Sequence, residues 1–241
     1  MTFSKDKKDI RIVLLEGVHP SAEKTFRDAG YSNIESLPAA LADDALKNKL
    51  KDVNIVGIRS RTQLSEAVIQ ESSSLLAIGC FCIGTNQVDK VTATLAGIPV
   101  FNAPYSNTRS VAELVIAQMI ILMRGIPEKN AAAHRGEWLK TANRSYEVRG
   151  KTLGIIGYGH IGTQVSVLAE SLGLKVVFYD IENKLPLGNA SAISSLSKLL
   201  KTSDIVSLHV PETDVTKNMF TQTCLAQMKE DAVLINASRG T

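Results

Sequence analysis

The sequence has few of the residues that mark secreted, metal-binding or membrane proteins. Its 241 residues include three cysteines and one tryptophan. Cys80, Cys82 and Cys224 are an odd number with no zinc-type spacing, so we expect no metal site and a reducing compartment, the cytoplasm. The charged N-terminus is not followed by an apolar segment, so we expect no secretory signal.

The sequence also has no large excess of charge of one sign. The 27 basic and 24 acidic residues leave a formal net charge of +3, spread along the chain apart from a cluster at residues 5–8. This argues against a nucleic-acid surface. The longest strongly apolar stretch, residues 114–123, contains Gln118 and is about half of a membrane span. We therefore expect no nucleic-acid partner and no membrane span, which leaves a small-molecule substrate to be sought in the motifs.

A glycine motif is the most informative feature that the chain does contain. The letters GYGHIG at residues 157–162 follow an apolar, strand-like run and precede a second apolar run that ends at Asp180. In this context they form a dinucleotide-binding fingerprint. Gly157 permits a tight turn, Gly159 lets the backbone approach a pyrophosphate, and Gly162 lets a helix pack closely on the strand.

The residues around the motif predict how a cofactor would be held. The amides of His160 and Ile161 should face the pyrophosphate, and Asp180 should accept hydrogen bonds from the adenosine ribose. The Asp180 carboxylate would repel a 2′-phosphate, and Ile181 follows where an NADP enzyme often places an arginine. NAD is therefore favoured over NADP. The alternative is a glycine-rich turn beside a strand-ending aspartate.

Short aliphatic runs alternate with helical patterns along the chain, as is typical of parallel βαβ units. Strands are predicted at residues 10–15, 33–36, 54–58, 75–79, 100–102, 153–156, 176–179, 191–193, 204–209 and 232–236. Helices are predicted between them, including residues 22–28 and 88–96. The prediction is an α/β chain of two doubly wound parallel-sheet domains, flavodoxin-like at residues 1–107 and Rossmann at residues 108–241. We expect both to be incomplete at the C-terminal end. The second has five candidate strands where a complete dinucleotide-binding sheet usually has six, and the first lacks a returning C-terminal segment.

A long apolar helix is predicted between the two sheets. The letters SVAE at residues 110–113 predict a capping box at its start. The helix is apolar on nearly every side through Met123, so it is either deeply buried or part of a subunit interface. Pro127 is expected to open the next helix.

Several motifs together resemble the D-isomer-specific 2-hydroxyacid dehydrogenases. They are RSRT at 59–62, IGCFCIGTNQVD at 78–89, FNAP at 101–104, NTRSVAE at 107–113, GIIGYGHIG at 154–162 and LINASRG at 234–240. The match covers nearly the whole chain. One departure is the turn Lys229-Glu230-Asp231, which stands where the family usually has Pro-Gly.

The resemblance implies a division of labour between the domains. It implies a substrate-binding domain at residues 1–107, an NAD-binding domain at residues 108–241, and a homo-oligomer formed through the nucleotide domain. It also implies NAD-linked interconversion of 3-phosphoglycerate and 3-phosphohydroxypyruvate, the first step of serine biosynthesis.

Three arginines suit an anionic substrate. Arg239 comes just past the last predicted strand, and its planar guanidinium can pair with a carboxylate and polarise the adjoining carbonyl. It also matches the family's catalytic arginine. Arg59 and Arg61 lie two apart after a buried-type strand and suit a doubly charged phosphate, although a solvated basic loop is the alternative.

The resemblance adds further site residues. Gly84 and Thr85 resemble the loop whose amides hold the substrate carboxylate. Asn107 resembles a polar contact beside it, or is only a turn residue before the helix. On the cofactor side the resemblance indicates the loop of His209 and Pro211 and the backbone of Ala237, Ser238 and Arg239.

No histidine of the chain is expected to act as the acid/base group. In the family that group is a histidine supported by a glutamate, both beyond the arginine, and the printed sequence stops two residues after Arg239. His160 belongs to the phosphate turn, and the other histidines, His19, His134 and His209, are expected to be structural. We therefore expect this chain to be inactive alone. The alternatives are another D-2-hydroxyacid dehydrogenase and a non-catalytic NAD-binding module.

Overall fold

The structure is a computed structural model that describes residues 5–238. The chain divides into two compact units, Met1–Ser106 and Asn107–Thr241. Each unit contains one five-stranded parallel sheet. The prediction of two doubly wound α/β sheets is thereby confirmed.

Strands and helices alternate through the first unit, after a 3₁₀ turn at Lys7–Asp9. Its strands are β1 (Ile12–Leu14), β2 (Ile34–Ser36), β3 (Ile55–Ile58), β4 (Ala77–Cys80) and β5 (Val100–Asn102). Its helices are α1 (Pro20–Asp28), α2 (Asp43–Leu50), α3 (Glu66–Glu71) and α4 (Lys90–Leu95). The strand order is β2-β1-β3-β4-β5, so the order reverses between β1 and β3.

Both faces of the first sheet are buried. Neighbouring residues of a strand point to opposite faces, and those of β1 pack in two different core clusters. Val13 packs in one core cluster with residues of β3, β4 and α2–α4, whereas Ile12 and Leu14 pack in another with Phe26 of α1. This explains the continuous apolar runs in the sequence, since a parallel sheet covered on both sides has no polar face.

The second unit begins with two helices and continues with its sheet. The helices are α5 (Thr108–Met123), α6 (Ile126–His134), α7 (His160–Ser171), α8 (Leu196–Thr202) and α9 (Gln222–Leu225). The strands are β6 (Thr152–Ile156), β7 (Lys175–Tyr179), β8 (Ser191–Ala192), β9 (Ile205–Leu208) and β10 (Val233–Asn236). Their order is β10-β9-β6-β7-β8, so this sheet reverses between β6 and β9.

The predicted capping box at residues 110–113 was wrong. Helix α5 already begins at Thr108, with Asn107 as its N-cap residue and no side-chain cap. Ser110 therefore lies within the first turn, where its hydroxyl donates to the Asn107 carbonyl at 2.9 Å. Glu113 pairs with Arg109 at 2.6 Å and does not reach back to the cap.

Helix α5 packs through one face against the rest of the second unit. Ala112, Val115, Met119 and Met123 are buried in one core cluster with Val165 of α7. Within residues 5–238, no single helix is long and apolar enough to cross a membrane. Helices α5 and α6 meet the length and composition criteria only as a pair, which is bent by 69°.

The turn that departs from the family pattern places an aspartate in a conformation that favours glycine. Asp231 has φ +62°, and the left-handed region costs a non-glycine residue about 1–2 kcal/mol. Its ion pair with Arg144, at 3.8 Å between exposed side chains, contributes little.

We expect Asp231→Gly to raise the free energy of unfolding by about 0.5–1 kcal/mol, because relief of the left-handed strain exceeds the chain entropy that glycine adds. Urea denaturation measures this change. Glu230→Gly is the matched control and should destabilise, since Glu230 has no positive φ. Equal effects of the two substitutions would contradict the expectation.

Candidate functional site

Two glycines of the turn after β6 leave no room for a side chain. Gly157 has φ +91°, and an added Cβ there would lie 2.8 Å from the His209 carbonyl oxygen. A Cβ on Gly162 would lie 2.3 Å from the Gly157 carbonyl oxygen. Real Cβ atoms do not approach backbone this closely, so these glycines set the packing of α7 on β6.

Gly159 faces open space. It is the N-cap residue of α7, has no side-chain cap, and an added Cβ would meet no atom within 4 Å. His160 and Ile161 follow as the first residues of the helix. An uncapped helix N-terminus that opens onto free space is a site where backbone amides and the helix dipole favour an anion. This turn therefore fits a pyrophosphate.

Asp180, at the end of β7, is oriented by two backbone amides. Its Oδ2 accepts from the Tyr158 amide at 2.7 Å, and its Oδ1 accepts from the Glu182 amide at 2.9 Å. Each carboxylate oxygen can accept a second hydrogen bond, so both remain able to bind ribose hydroxyls. Ile181 beside it is 85% exposed.

Tyr158 is a site residue that the glycine pattern did not identify. Its ring stacks on Phe178 with the centroids 3.8 Å apart, and its hydroxyl bonds to Ser166 at 2.9 Å. These contacts immobilise the residue whose amide orients Asp180. The only signal in the sequence is the aromatic character of both positions.

The loops after β6, β9 and β10 are tied to one another where the strand order reverses. The His209 amide donates to the Ile156 carbonyl at 2.8 Å. The Ser238 hydroxyl accepts from the Val210 amide at 3.0 Å. Because the carboxyl ends of parallel strands meet at one edge, the predicted cofactor residues of the second unit share it, from Gly157 to Pro211, Ala237 and Ser238.

The His209 ring lies largely inside this edge. Its Nε2 is 2.9 Å from the hydroxyl of the buried Ser207, which the sequence pattern did not identify. Its Nδ1 is buried without a hydrogen-bond partner in the part of the chain that the structure describes. Burial lowers the pKa of His209 to about 4, so the ring is neutral at neutral pH.

The carboxyl edge of the first sheet carries the predicted substrate residues. Arg59 and Arg61 follow β3 directly, at the reversal between β1 and β3, and both are exposed. Gly84 and Thr85 follow β4. The Gln87 side chain donates to the Arg59 carbonyl at 2.7 Å and to the Gly84 carbonyl at 3.1 Å, so the two loops are joined.

The predicted substrate residue Asn107 lies in the second unit. Asn107 is the N-cap residue of α5 in the second unit, but its side chain does not cap the helix. Its role as a polar substrate contact stays a prediction. Arg239, the predicted catalytic residue, lies outside the residues that the structure describes.

The edge of the second sheet has the features of a Rossmann-type dinucleotide-binding domain. Comparison with known proteins gives the class. Residues 116–241 match the family described as D-isomer specific 2-hydroxyacid dehydrogenase, NAD binding domain. The chain belongs to this family, and its second unit binds NAD.

Individual relatives agree with this assignment. The chain is 59% identical over 238 residues to D-3-phosphoglycerate dehydrogenase of Haemophilus influenzae and 60% identical over 238 residues to that of Escherichia coli K12. In each case 99% of this chain matches 58% of the relative, so the chain spans little more than half of their length. D-lactate dehydrogenase from Aquifex aeolicus, solved with NAD and lactic acid, is 26% identical with a TM-score of 0.84, over 95% of this chain and 69% of that one.

Substitution of two glycines in the turn should affect different properties, one the stability of the fold and the other the affinity for NAD. We expect Gly162→Ala to lower the free energy of unfolding by about 1–3 kcal/mol, because the new methyl group overlaps the Gly157 carbonyl. We expect Gly159→Ala to change it by less than about 0.5 kcal/mol but to weaken NAD binding at least about tenfold, because the methyl group enters the space at the helix N-terminus. Urea unfolding and titration calorimetry measure both. NAD binding by Gly159→Ala at undiminished affinity would contradict the site.

The buried imidazole should make stability depend on pH. The pKa of His209 is about 4 in the folded protein against an ordinary 6.5, so the unfolded chain binds the proton more readily between these values. Stability present above pH 6.5 is therefore lost as the pH falls to 4, with an upper limit of about 3 kcal/mol from this residue. His209→Gln should flatten the curve of unfolding free energy against pH in that window. The exposed His134→Gln is the control, and an unchanged curve for His209→Gln would show the expectation to be wrong.

Proposed function

We propose that the full-length protein oxidises 3-phosphoglycerate to 3-phosphohydroxypyruvate with NAD, in the cytoplasm, as the first step of serine biosynthesis. The observation that carries the proposal is the pair of exposed arginines at the strand-order reversal of the first sheet, in a chain whose second unit binds NAD. The names of the relatives at 59–60% identity support the choice of substrate.

In this proposal arginine side chains and backbone amides recognise the charged ends of the substrate. Arg59 and Arg61 bind the phosphate, because two guanidinium groups offer paired donors to a dianion. The backbone amides at Gly84 and Thr85 hold the carboxylate, and Asn107 adds a polar contact. Arg239 clamps the carboxylate and polarises the carbonyl, which is an inference from its place in the sequence.

The second unit holds the cofactor. NAD, when bound, accepts the hydride from the substrate. Gly159, His160 and Ile161 provide the open helix N-terminus for its pyrophosphate, and Asp180 selects a ribose without a 2′-phosphate. The loops of His209, Pro211, Ala237 and Ser238 line the rest of the edge.

We assign proton transfer to none of the four histidines in the 241 residues. The Nδ1 of His19 accepts from the Ser21 amide at the start of α1, and His209 bonds to a hydroxyl rather than to a carboxylate. His160 begins α7, in the phosphate turn. The 241-residue chain is accordingly proposed to be inactive by itself.

The second unit is also proposed to form a homo-oligomer. Leu114 and Leu122 on α5 are 58% and 40% exposed, and Trp138 is 84% exposed. Large apolar side chains at the surface are typical of protein interfaces.

Steady-state kinetics test the proposed function. We expect the full-length protein to favour 3-phosphoglycerate over D-lactate and D-glycerate by at least about 100-fold in kcat/KM, since the phosphate adds charge-assisted bonds. The 241-residue chain should show no turnover, and sedimentation of the full-length protein should give an oligomer.

Each alternative has its own result. No preference for the phosphorylated acid would favour another 2-hydroxyacid dehydrogenase. NAD binding without turnover of any hydroxy acid by the full-length protein would favour a binding module. Activity of the 241-residue chain would overturn the assignment of the proton-transfer group.

A further inference from the structure

A buried glutamate at the strand-order reversal of the first sheet has no part in the roles described above. Glu16 follows β1, is 4% exposed, and has φ +62°. Burial of a carboxylate is costly unless hydrogen bonds compensate, and the left-handed backbone adds a cost for any residue except glycine. Two unfavourable features at one residue indicate a compensating set of contacts.

Those contacts are three backbone amides of a single loop. Glu16 Oε1 accepts from the amides of Arg59 at 3.0 Å and Thr62 at 2.9 Å, and Oε2 accepts from the amide of Arg61 at 3.0 Å. Burial by itself raises the pKa of Glu16, but these amides outweigh it and lower the pKa below its ordinary value. The carboxylate is therefore ionised at neutral pH.

The same loop is held from its other side. The Arg59 carbonyl accepts from Gln87, so the amide and the carbonyl of one residue are fixed by two buried side chains. Glu16 is itself fixed, because its amide donates to the Ala39 carbonyl beyond β2 at 3.1 Å. The loop at residues 59–62 is thus joined to the ends of β1, β2 and β4.

The Glu16 carboxylate also forms an ion pair with one arginine side chain, that of Arg61. Its Oε2 lies 3.7 Å from Arg61 Nε, with the Glu16 side chain 2% exposed and that of Arg61 68% exposed. The carboxylate therefore lies beneath the loop, and the terminal nitrogens of Arg61 remain toward solvent. No carboxylate pairs with Arg59 among residues 5–238.

We propose that Glu16 is a positioning residue for anion recognition. It orders the backbone of residues 59–62 before the ligand arrives, so that Arg59 and Arg61 project from fixed points toward a phosphate. Pre-ordering of a binding loop reduces the conformational entropy that binding would otherwise cost. The inference rests on the proposed function, in which these arginines bind the phosphate of the substrate.

Glu16→Gln in the full-length protein tests the inference. The amide nitrogen replaces a carboxylate oxygen and cannot accept a hydrogen bond, so at least one loop amide loses its acceptor. Glu35→Gln is the matched control, because it removes the same charge from the first unit but pairs with Lys49 and Arg11, away from the loop. The measurements are KM for 3-phosphoglycerate, KM for NAD, and hydrogen exchange of the peptide that contains residues 59–62.

We expect Glu16→Gln to raise KM for 3-phosphoglycerate about tenfold, to leave KM for NAD within about twofold, and to speed exchange in the loop. Glu35→Gln should change none of the three. A purely structural role for Glu16 would raise both KM values together or neither, and either result would overturn the inference. Should Glu16→Gln fail to fold, Glu16→Asp keeps the charge with a shorter reach, and an unchanged KM for 3-phosphoglycerate in that variant would also overturn it.

Arg59→Ala separates this inference from the proposed function. A rise in KM for 3-phosphoglycerate in Arg59→Ala, without one in Glu16→Gln, would overturn the role of Glu16 and leave the phosphate site standing. No rise in Arg59→Ala would overturn the phosphate site, and the role of Glu16 with it.

Discussion

Close approach of backbone to backbone at the carboxyl edge of the second sheet is the constraint on which the cofactor site depends. Helix α7 can begin this close to the end of β6 because Gly162 lies against the Gly157 carbonyl. A Cβ on Gly162 would be 2.3 Å from that oxygen. Gly157 in turn lies against the His209 carbonyl. Gly159, between these two glycines, faces open space, and we expect a pyrophosphate to meet the helix amides there.

The first sheet orders its edge by a different means. There the carboxylate of Glu16 accepts hydrogen bonds from the amides of three residues in the loop after β3. In the second sheet the loop after β6 takes its shape from Gly157 and Gly162, which have no side chain. In the first sheet the loop after β3 takes its shape from one buried charged side chain, that of Glu16. Both devices occur where the strand order reverses, the position at which doubly wound sheets bind their ligands.

Much of this architecture could be predicted from sequence because its causes are local. Strand and helix periodicity, and the spacing from Gly157 to Asp180, depend on neighbouring residues. Tyr158, Ser207 and Glu16 could not be identified in the same way, since their roles arise from contacts made across the fold. The capping box at residues 110–113 was wrong for a related reason: its letters also suit a turn already inside a helix, and Thr108 begins α5 earlier.

In the proposed function the two edges hold their phosphate groups by different means. Helix α7 begins without a side-chain cap. The amides and the dipole of such an N-terminus favour a pyrophosphate without a positively charged side chain. In the loop of residues 59–62 the amides of Arg59, Arg61 and Thr62 already donate to Glu16. These three amides are therefore not available to a phosphate. In the proposed function the guanidinium groups of Arg59 and Arg61 bind it, because their planar donors suit a terminal dianion. In the proposed function the buried glutamate thus leaves the phosphate of the substrate to side chains of the first unit, whereas backbone amides at α7 recognise the dinucleotide.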